Sequence, residues 1–155
     1  MKYIAFDIET AERSPENDGG SYALGITCIG CYIKDVAGVV AQRVWHGAEQ
    51  EDGRLADRMT AEECKEFVQW LREMQGQFYD IVTWNGLGFD FRVLAAEIKD
   101  EVWRNVVIGM TWNHLDPMFQ MLCEKGNCRH SQRRRGPPPS VPRRCTRGQR
   151  AATVP

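Results

Sequence analysis

The sequence contains no apolar run that approaches the roughly 20 residues needed by a membrane-spanning helix. Its beginning does not resemble a signal peptide either, because Asp7 and Glu9 interrupt the short apolar stretch that follows the first lysine. We therefore expect a cytoplasmic protein that has no membrane among its partners.

Histidines suitably spaced to complete a zinc site are also lacking. No well-spaced histidine accompanies either cysteine pair, Cys28 with Cys31 or Cys123 with Cys128. The first pair falls in a predicted buried strand, where free cysteine is a common small apolar residue. We interpret these cysteines as core residues with free thiols, as is usual in a reducing compartment, and keep a four-cysteine zinc site as the alternative.

Positive charge is scarce in the first 126 residues. Eight of the 20 basic residues are arginines within residues 127–155, so 12 basic and 21 acidic residues remain in 1–126, a net charge of −9. A body this acidic does not bind nucleic acid through its bulk charge. Binding to a phosphodiester would therefore need metal ions or local basic patches.

Residues 127–155 differ in composition from everything before them. They include three consecutive prolines and no Asp, Glu or Lys, which predicts a disordered tail after a domain over 1–126. Three interpretations compete: a basic nucleic-acid-binding tail, a linker to a further segment, and an out-of-frame read-through. We favour the last, since Arg, Pro, Ala, Ser and Gly dominate shifted frames of GC-rich coding DNA.

The hydrophobic pattern predicts a mixture of strands and helices. Strands are predicted at residues 3–8, 22–33, 39–46, 80–84 and 106–110. Helices are predicted from a T-x-x-E capping box at Thr60 to Gly76, over 89–98 and over 117–124. Short turns between the first three strands predict antiparallel pairing, whereas strands that alternate with helices predict parallel pairing. The expected fold class is α/β, with a mixed sheet flanked by helices.

Two carboxylates, Asp7 and Glu9, lie near the end of the first predicted strand. Side chains at i and i+2 of a strand point to the same face, about 6–7 Å apart along the chain. Such a pair is costly on a central strand unless a cation lies between the two, and hard divalent cations prefer oxygen ligands. The pair indicates a divalent metal site, with a D-x-E exposed to water as the alternative.

The segment TWNGLGFDFRVL, residues 83–94, places a third carboxylate at the start of a helix. Asn85, Gly86 and Gly88 permit a tight turn from strand to helix, and Asp90 then lies in the first helical turn. An acidic residue at that position also stabilises the helix dipole without any chemical role.

Together, FDIET near the N-terminus and the later N-G-x-x-F-D-x-x-x-L resemble the first two motifs of the DEDD-type 3′–5′ exonucleases. This superfamily includes the proofreading domains of DNA polymerases and several RNases. The resemblance covers about residues 1–126 and agrees in order, spacing and predicted secondary structure. It implies a ribonuclease H-like mixed sheet, with strands 1–3 antiparallel and later strands parallel, that is incomplete at its C-terminus.

The resemblance also implies a two-metal site for Mg²⁺ or Mn²⁺. In that pattern Asp7 bridges both ions, Glu9 holds the ion that activates water, and Asp90 holds the other. The implied reaction is in-line attack of water on the terminal phosphodiester at the 3′ end of single-stranded DNA or RNA. It releases a nucleoside 5′-monophosphate, and a polymerase or repair protein is the implied partner.

Three further residues match motif positions beside the cleft, which implies a substrate-binding role for each. For Asn85 the alternative is a turn residue with an unusual backbone geometry. For Phe89 the alternative is a core position, and for Thr10 it is the start of a loop. Trp84 offers a ring for base stacking, although packing at the strand end is the interpretation we favour.

The family's third motif, Y-x-x-x-D or H-x-x-x-D, supplies its fourth carboxylate and general base, and no such motif follows residue 94. His114 and Asp116 form H-x-D, whose spacing is wrong. We therefore expect impaired exonuclease activity, and keep a non-catalytic nucleic-acid-binding module, or a remnant of the fold, as the alternative. A ribonuclease H endonuclease is disfavoured by Glu9, because its metal-binding Glu usually comes from a helix.

Overall fold

A computed structural model describes residues 1–13 and 22–133, and of 126–133 the backbone only. Its strands are β1 (Tyr3–Thr10), β2 (Ile26–Lys34), β3 (Val40–His46), β4 (Asp80–Val82) and β5 (His114–Leu115). Its α-helices are α1 (Ala61–Gly76), α2 (Asp90–Glu97), α3 (Glu101–Met110) and α4 (Pro117–Arg133). The chain divides into two compact units, Met1–Leu122 and Cys123–Pro155. The predicted domain boundary at residue 126 stays a prediction. Residues 134–155 of the predicted tail lie outside the described residues.

The five strands form one mixed sheet in the order β3-β2-β1-β4-β5. The β1–β2 and β2–β3 pairs are antiparallel, and the β1–β4 and β4–β5 pairs are parallel. The expected α/β class and its mixed sheet are confirmed, and the architecture is compatible with a ribonuclease H-like fold. β1 is therefore the central strand, as its nearly continuous apolar sequence predicts.

The core lies between one face of the sheet and three helices. Alternate residues of β1, Ile4, Phe6 and Ile8, are buried on that face. The Phe6 ring makes edge contacts with Phe67 of α1, at 5.4 Å between centroids, and with Phe91 of α2, at 5.7 Å. Aromatic pairs in this arrangement contribute stability beyond the apolar area that they bury.

The opposite face of the sheet is open within the described residues. Tyr32 of β2 and Val44 of β3 lie on this face and are exposed. The apolar residues Phe119 and Leu122 of α4 are exposed as well. The expected helices beside the sheet are present, and α1, α2 and α3 supply the residues that cover its buried face. No helix among residues 1–13 and 22–133 is both long enough and apolar enough to cross a membrane.

The predicted strand at 106–110 is wrong, because this segment is the second half of α3. The side chain of Asp100 caps the helix by accepting hydrogen bonds from the backbone N–H groups of Val102 and Trp103. Val107 and Met110, at helical spacing, are buried in the core. The β-branched run suggested a strand, but tertiary packing of an amphipathic face decides here. The last strand of the sheet is instead the two-residue β5, which the sequence analysis missed.

The capping box predicted at Thr60 is confirmed. The Thr60 hydroxyl accepts a hydrogen bond from the Glu63 N–H at 3.2 Å, and a Glu63 carboxylate oxygen accepts from the Thr60 N–H at 2.6 Å. Both bonds satisfy N–H groups that a helix leaves without partners at its start. The box fixes the beginning of α1, whose buried residues Phe67 and Leu71 complete the core.

We expect Thr60→Ala to lower the free energy of unfolding by about 1 kcal/mol, because the first turn of α1 loses its side-chain acceptor. Thr60→Ser, which keeps the hydroxyl, is the matched control and should stay close to the unsubstituted protein. Urea unfolding followed by circular dichroism measures both. An alanine variant as stable as the serine variant would show that this cap contributes nothing.

Candidate functional site

The carboxylates of Asp7 and Glu9 lie on the open face of β1. Their neighbours Phe6 and Ile8 point into the core, whereas both acidic residues are exposed. In the ladder with β2, Asp7 lies opposite Gly30 and Glu9 lies opposite Cys28. Since Gly30 has no side chain, the sheet surface beside Asp7 is unobstructed on that side.

Asp90 reaches the same strand from the first turn of α2. It is 1% exposed, and its Oδ1 accepts a hydrogen bond from the Ile8 N–H at 3.2 Å. β4 pairs with β1 only over Tyr3–Ala5. Beyond Ala5, the Ile8 N–H on this edge of β1 therefore bonds to the Asp90 side chain instead of to a neighbouring strand. Since Ile8 lies between Asp7 and Glu9, the structure brings the three predicted carboxylate residues to one strand end.

The environment of Asp90 disfavours its ionised form. Burial, followed by the negative charge of Asp7, raises the pKa of Asp90 to about 7, although hydrogen bonds from the backbone N–H groups of Asp90 and Ile8 oppose the rise. The charge of Asp116 adds to the rise, and Glu9 is not among its causes. Asp7 and Asp90 are thus close enough to repel each other, which a cation between them would relieve.

The turn between β4 and α2 positions Asp90. Asn85 has a φ of 66°, a left-handed conformation that Asn tolerates better than most residues. Its carbonyl oxygen accepts hydrogen bonds from the N–H groups of Gly88 and Phe89, both at 2.9 Å. A Cβ on Gly86 would collide with the Thr83 side chain, and one on Gly88 with that of Asn85. Asn85 therefore has the turn role that was one of its two interpretations.

Asp116, whose H-x-D spacing does not match the third motif, nevertheless lies beside the site. It is buried, and its two carboxylate oxygens accept hydrogen bonds from the N–H groups of Asn85 (3.1 Å), Leu87 (3.2 Å) and Phe119 (3.1 Å). It thereby joins the Asp90 turn to the first turn of α4. The signal was present in the sequence, since an Asp that precedes Pro117 is typical of a helix start.

The remaining predicted site residues take structural positions. The Thr10 hydroxyl donates to the Glu12 carbonyl at 2.8 Å, which favours its role as the start of the loop. Phe89 is half-buried and packs against the core, as its alternative interpretation expected. Trp84 is 61% exposed, so the expected packing at the strand end is wrong.

A cavity of about 440 Å³ adjoins Asp7 on the open face. Trp84 and Tyr32 contribute aromatic rings to its lining, beside Val82 and Thr83 of the neighbouring strand end. The Thr83 hydroxyl is buried and makes no hydrogen bond. The cavity therefore offers one carboxylate and the rings of Trp84 and Tyr32, and no basic side chain is among its described lining residues.

The cysteines form no metal site in the described part of the chain. Cys28 and Cys31 are three residues apart in β2, so they face opposite sides of the sheet and cannot bind one ion together. Burial raises the pKa of the Cys31 and Cys64 thiols to about 12, which fits inert core residues. Cys123 is exposed and free.

Among all described residues, no group of three or more His, Cys, Asp or Glu side chains converges as a metal site. The oxygen-donor chemistry of Asp7 and Asp90 suits Mg²⁺ or Mn²⁺. The residues therefore fit a divalent ion held by two carboxylates and water, and fall short of a preformed two-metal site.

No protein-family model matches the chain, and no curated protein matches it. Among solved structures, it is similar to the family B DNA polymerase from the hyperthermophilic archaeon Pyrobaculum calidifontis, with a TM-score of 0.38 and 22% sequence identity. The similarity covers 76% of this chain and 12% of the polymerase chain. A likeness of this size carries no argument about activity.

We expect Asp116→Ala to lower the free energy of unfolding by about 2–3 kcal/mol, because three partly buried N–H groups lose a charged acceptor. Asp116→Asn keeps one acceptor oxygen and should lose less. Chemical denaturation gives the stabilities, and amide hydrogen exchange at Asn85 and Leu87 reports the turn directly. Unchanged protection of those two amides in the alanine variant would contradict the assigned role.

The raised pKa of Asp90 predicts a pH-dependent stability. Because the folded protein binds this proton more tightly than the unfolded chain does, the free energy of unfolding should fall as pH rises from about 4 to about 7. In metal-free buffer Asp90→Asn, which stays neutral, should be more stable above pH 7, by up to about 4 kcal/mol, and this advantage should vanish near pH 4. Asp57→Asn, an exposed control, should show no such trend. A constant difference for Asp90→Asn across this range would contradict the prediction.

Proposed function

We propose that this chain carries the site of a metal-dependent 3′–5′ exonuclease, which hydrolyses terminal phosphodiesters of single-stranded DNA or RNA to nucleoside 5′-monophosphates. The observation that carries the proposal is the hydrogen bond from Ile8 to Asp90. It sets a buried helix carboxylate against the strand that bears Asp7 and Glu9. Carboxylates from two distant segments thus lie at the same end of β1, as the resemblance of the two motifs implies, and Asp7 lines the adjoining cavity.

The proposed cofactor is Mg²⁺ or Mn²⁺, bound by Asp7 and Asp90, with Glu9, which is exposed on the same face of β1 as Asp7, as a third ligand that would have to turn toward the ion. A bound divalent ion supplies activation of water and neutralisation of charge on the phosphoryl group. The repulsion that raises the pKa of Asp90 becomes an attraction when a cation is shared by both carboxylates. Asp90 is held by the Ile8 backbone, so it needs little rearrangement to act as a ligand.

We propose that residues around the carboxylates hold the single nucleic-acid strand. Trp84 and Tyr32, which line the cavity beside Asp7, present ring faces on which the terminal base stacks. Thr10, Asn85 and Phe89 remain substrate-binding proposals. For Asn85 and Thr10 the hydrogen bonds described above account for the turn and the start of the loop, and a contact with the substrate stays a proposal for both.

No side chain in the described residues is placed as a general base, and the sequence lacks the motif that supplies one. We therefore propose a weak activity. A second candidate, a non-catalytic nucleic-acid-binding module, is favoured by one observation: no group of three metal-binding side chains converges within the described residues. A polymerase or repair protein remains the proposed partner class, and the cytoplasm the proposed compartment.

We expect the full chain to shorten a 5′-labelled single-stranded oligonucleotide from its 3′ end when Mg²⁺ or Mn²⁺ is present. EDTA and Asp7→Asn should each abolish the ladder, with Asp7→Asn lowering the rate at least 100-fold, a typical loss for removal of one electrostatic group. Asp57→Asn, an exposed acid distant from the motifs in the sequence, is the matched control and should retain full activity.

Two results would contradict the exonuclease proposal. One is an absence of cleavage by protein whose circular dichroism shows it to be folded. The other is cleavage that persists at the same rate in Asp7→Asn, which would indicate a contaminating nuclease. Binding of the oligonucleotide without cleavage, unaffected by EDTA, would support the non-catalytic module instead.

A further inference from the structure

A second cavity, of about 360 Å³, lies between α2 and α3. Its polar lining consists of Arg92, Arg104, Tyr22 and Thr111, and no acidic residue contributes to it. This composition is unusual for a body whose first 126 residues carry 12 basic and 21 acidic side chains. The cavity is therefore a local basic site on an acidic protein.

Neither arginine is neutralised by an acid within the described residues, where the ion pairs involve Arg54, Arg58 and Lys65. Among the acidic residues close to them in sequence, Asp90 accepts a hydrogen bond from the Ile8 N–H, and Glu101 forms no ion pair with Arg104. Glu97 accepts a hydrogen bond from the Gly25 N–H at 2.6 Å, and Asp100 caps α3. Guanidinium groups that lack a carboxylate partner keep their charge and their donors free for an anion.

The Arg92 guanidinium is held in place by Tyr22. It lies over the Tyr22 ring at 5.3 Å from the centroid and donates to the Tyr22 hydroxyl at 3.2 Å. This contact orients the planar group and leaves its other donors free. Ala95, Ala96 and Ile108 form the apolar wall of the cavity. This lining matches a nucleotide, because the guanidinium groups can bind its phosphate and the apolar side chains and the Tyr22 ring can contact its base.

The basic cavity is next to the carboxylate site along the chain. The turn before α2 contributes Thr83 and Trp84 to the cavity beside Asp7, and Leu87 to the basic cavity. Phe91, the residue after Asp90, also lines the basic cavity. The turn before α2 therefore borders both cavities.

We propose that Arg92 and Arg104 form a phosphate-binding site for a single nucleic-acid strand, separate from the carboxylates. The choice of ligand rests on the proposed function, whereas the site itself needs no metal. Because a strand bound through phosphates releases counterions, each contact contributes about −0.7 to the slope of log affinity against log salt concentration. Two contacts therefore contribute a slope of about −1.4.

The test uses the full chain and a fluorescent single-stranded oligothymidylate, with EDTA present throughout. Fluorescence anisotropy gives the affinity from about 0.05 to 0.3 M NaCl, a range in which such binding changes steeply. We expect Arg92→Gln/Arg104→Gln to bind on the order of ten-fold more weakly at 0.1 M salt. Its plot of log affinity against log salt concentration should be less steep by about 1.4. Arg92→Lys/Arg104→Lys keeps both charges and should retain most of the slope.

The matched control is Arg54→Gln/Arg72→Gln, which removes the same charge from exposed positions outside the cavity. The arginines of 127–155 are present in every variant, so a difference between the two glutamine variants reports the cavity alone. Equal weakening in both would overturn the proposal, as would an unsubstituted chain that does not bind the strand. If the cavity glutamine variant does not fold, the lysine variant decides, because it must keep binding for the proposal to stand.

Cleavage is measured separately, with Mg²⁺ added. A chain that binds through the arginines but does not cleave supports the phosphate site and contradicts the exonuclease proposal alone. A chain that cleaves, yet loses no binding in the cavity glutamine variant, contradicts the phosphate site alone.

Discussion

The hydrogen bond between the Ile8 N–H and the Asp90 carboxylate is the constraint on which the site depends. β4 ends after three residues, so one edge of β1 lacks a strand partner from that point. Asp90 fills the gap from the first turn of α2 and ties helix and strand together. In this position the Asp90 carboxylate is buried and lies near Asp7. The contact therefore fixes α2 against β1 and also places two carboxylates where they repel each other.

Asp116 holds the other side of that arrangement. Its carboxylate satisfies two N–H groups of the turn before α2 and one at the start of α4. A buried charge of this kind is tolerated because each oxygen has donors, which a buried carboxylate requires. Asp116 is therefore occupied as an acceptor, and we regard it as a positioning residue rather than a metal ligand. The site has three candidate ligands and one carboxylate that keeps the turn in shape.

Local signals gave most of the fold. The central position of β1, the helix start at Thr60 and the tight turn before Asp90 each follow from a short-range pattern that the packing reinforces. The error at 106–110 has the opposite cause. A β-branched run there matched a strand locally, but the cap at Asp100 and the burial of Val107 and Met110 made it a helix. The single covered face of the sheet was likewise not evident, because no local pattern reports which face the helices take.

The sequence by itself determined which residues are candidates. Two carboxylates on one strand face follow from the two-residue period of a strand, and Asp90 at a helix start follows from its turn residues. Only the tertiary structure decided what these residues contact. It decided that Asp90 is buried against Ile8 beside Asp7, that Asn85 and Thr10 are bound to backbone groups, and that Arg92 and Arg104 share a cavity. The physical reason is that strand and helix periods fix directions within one element, whereas distances between elements depend on how the whole core packs.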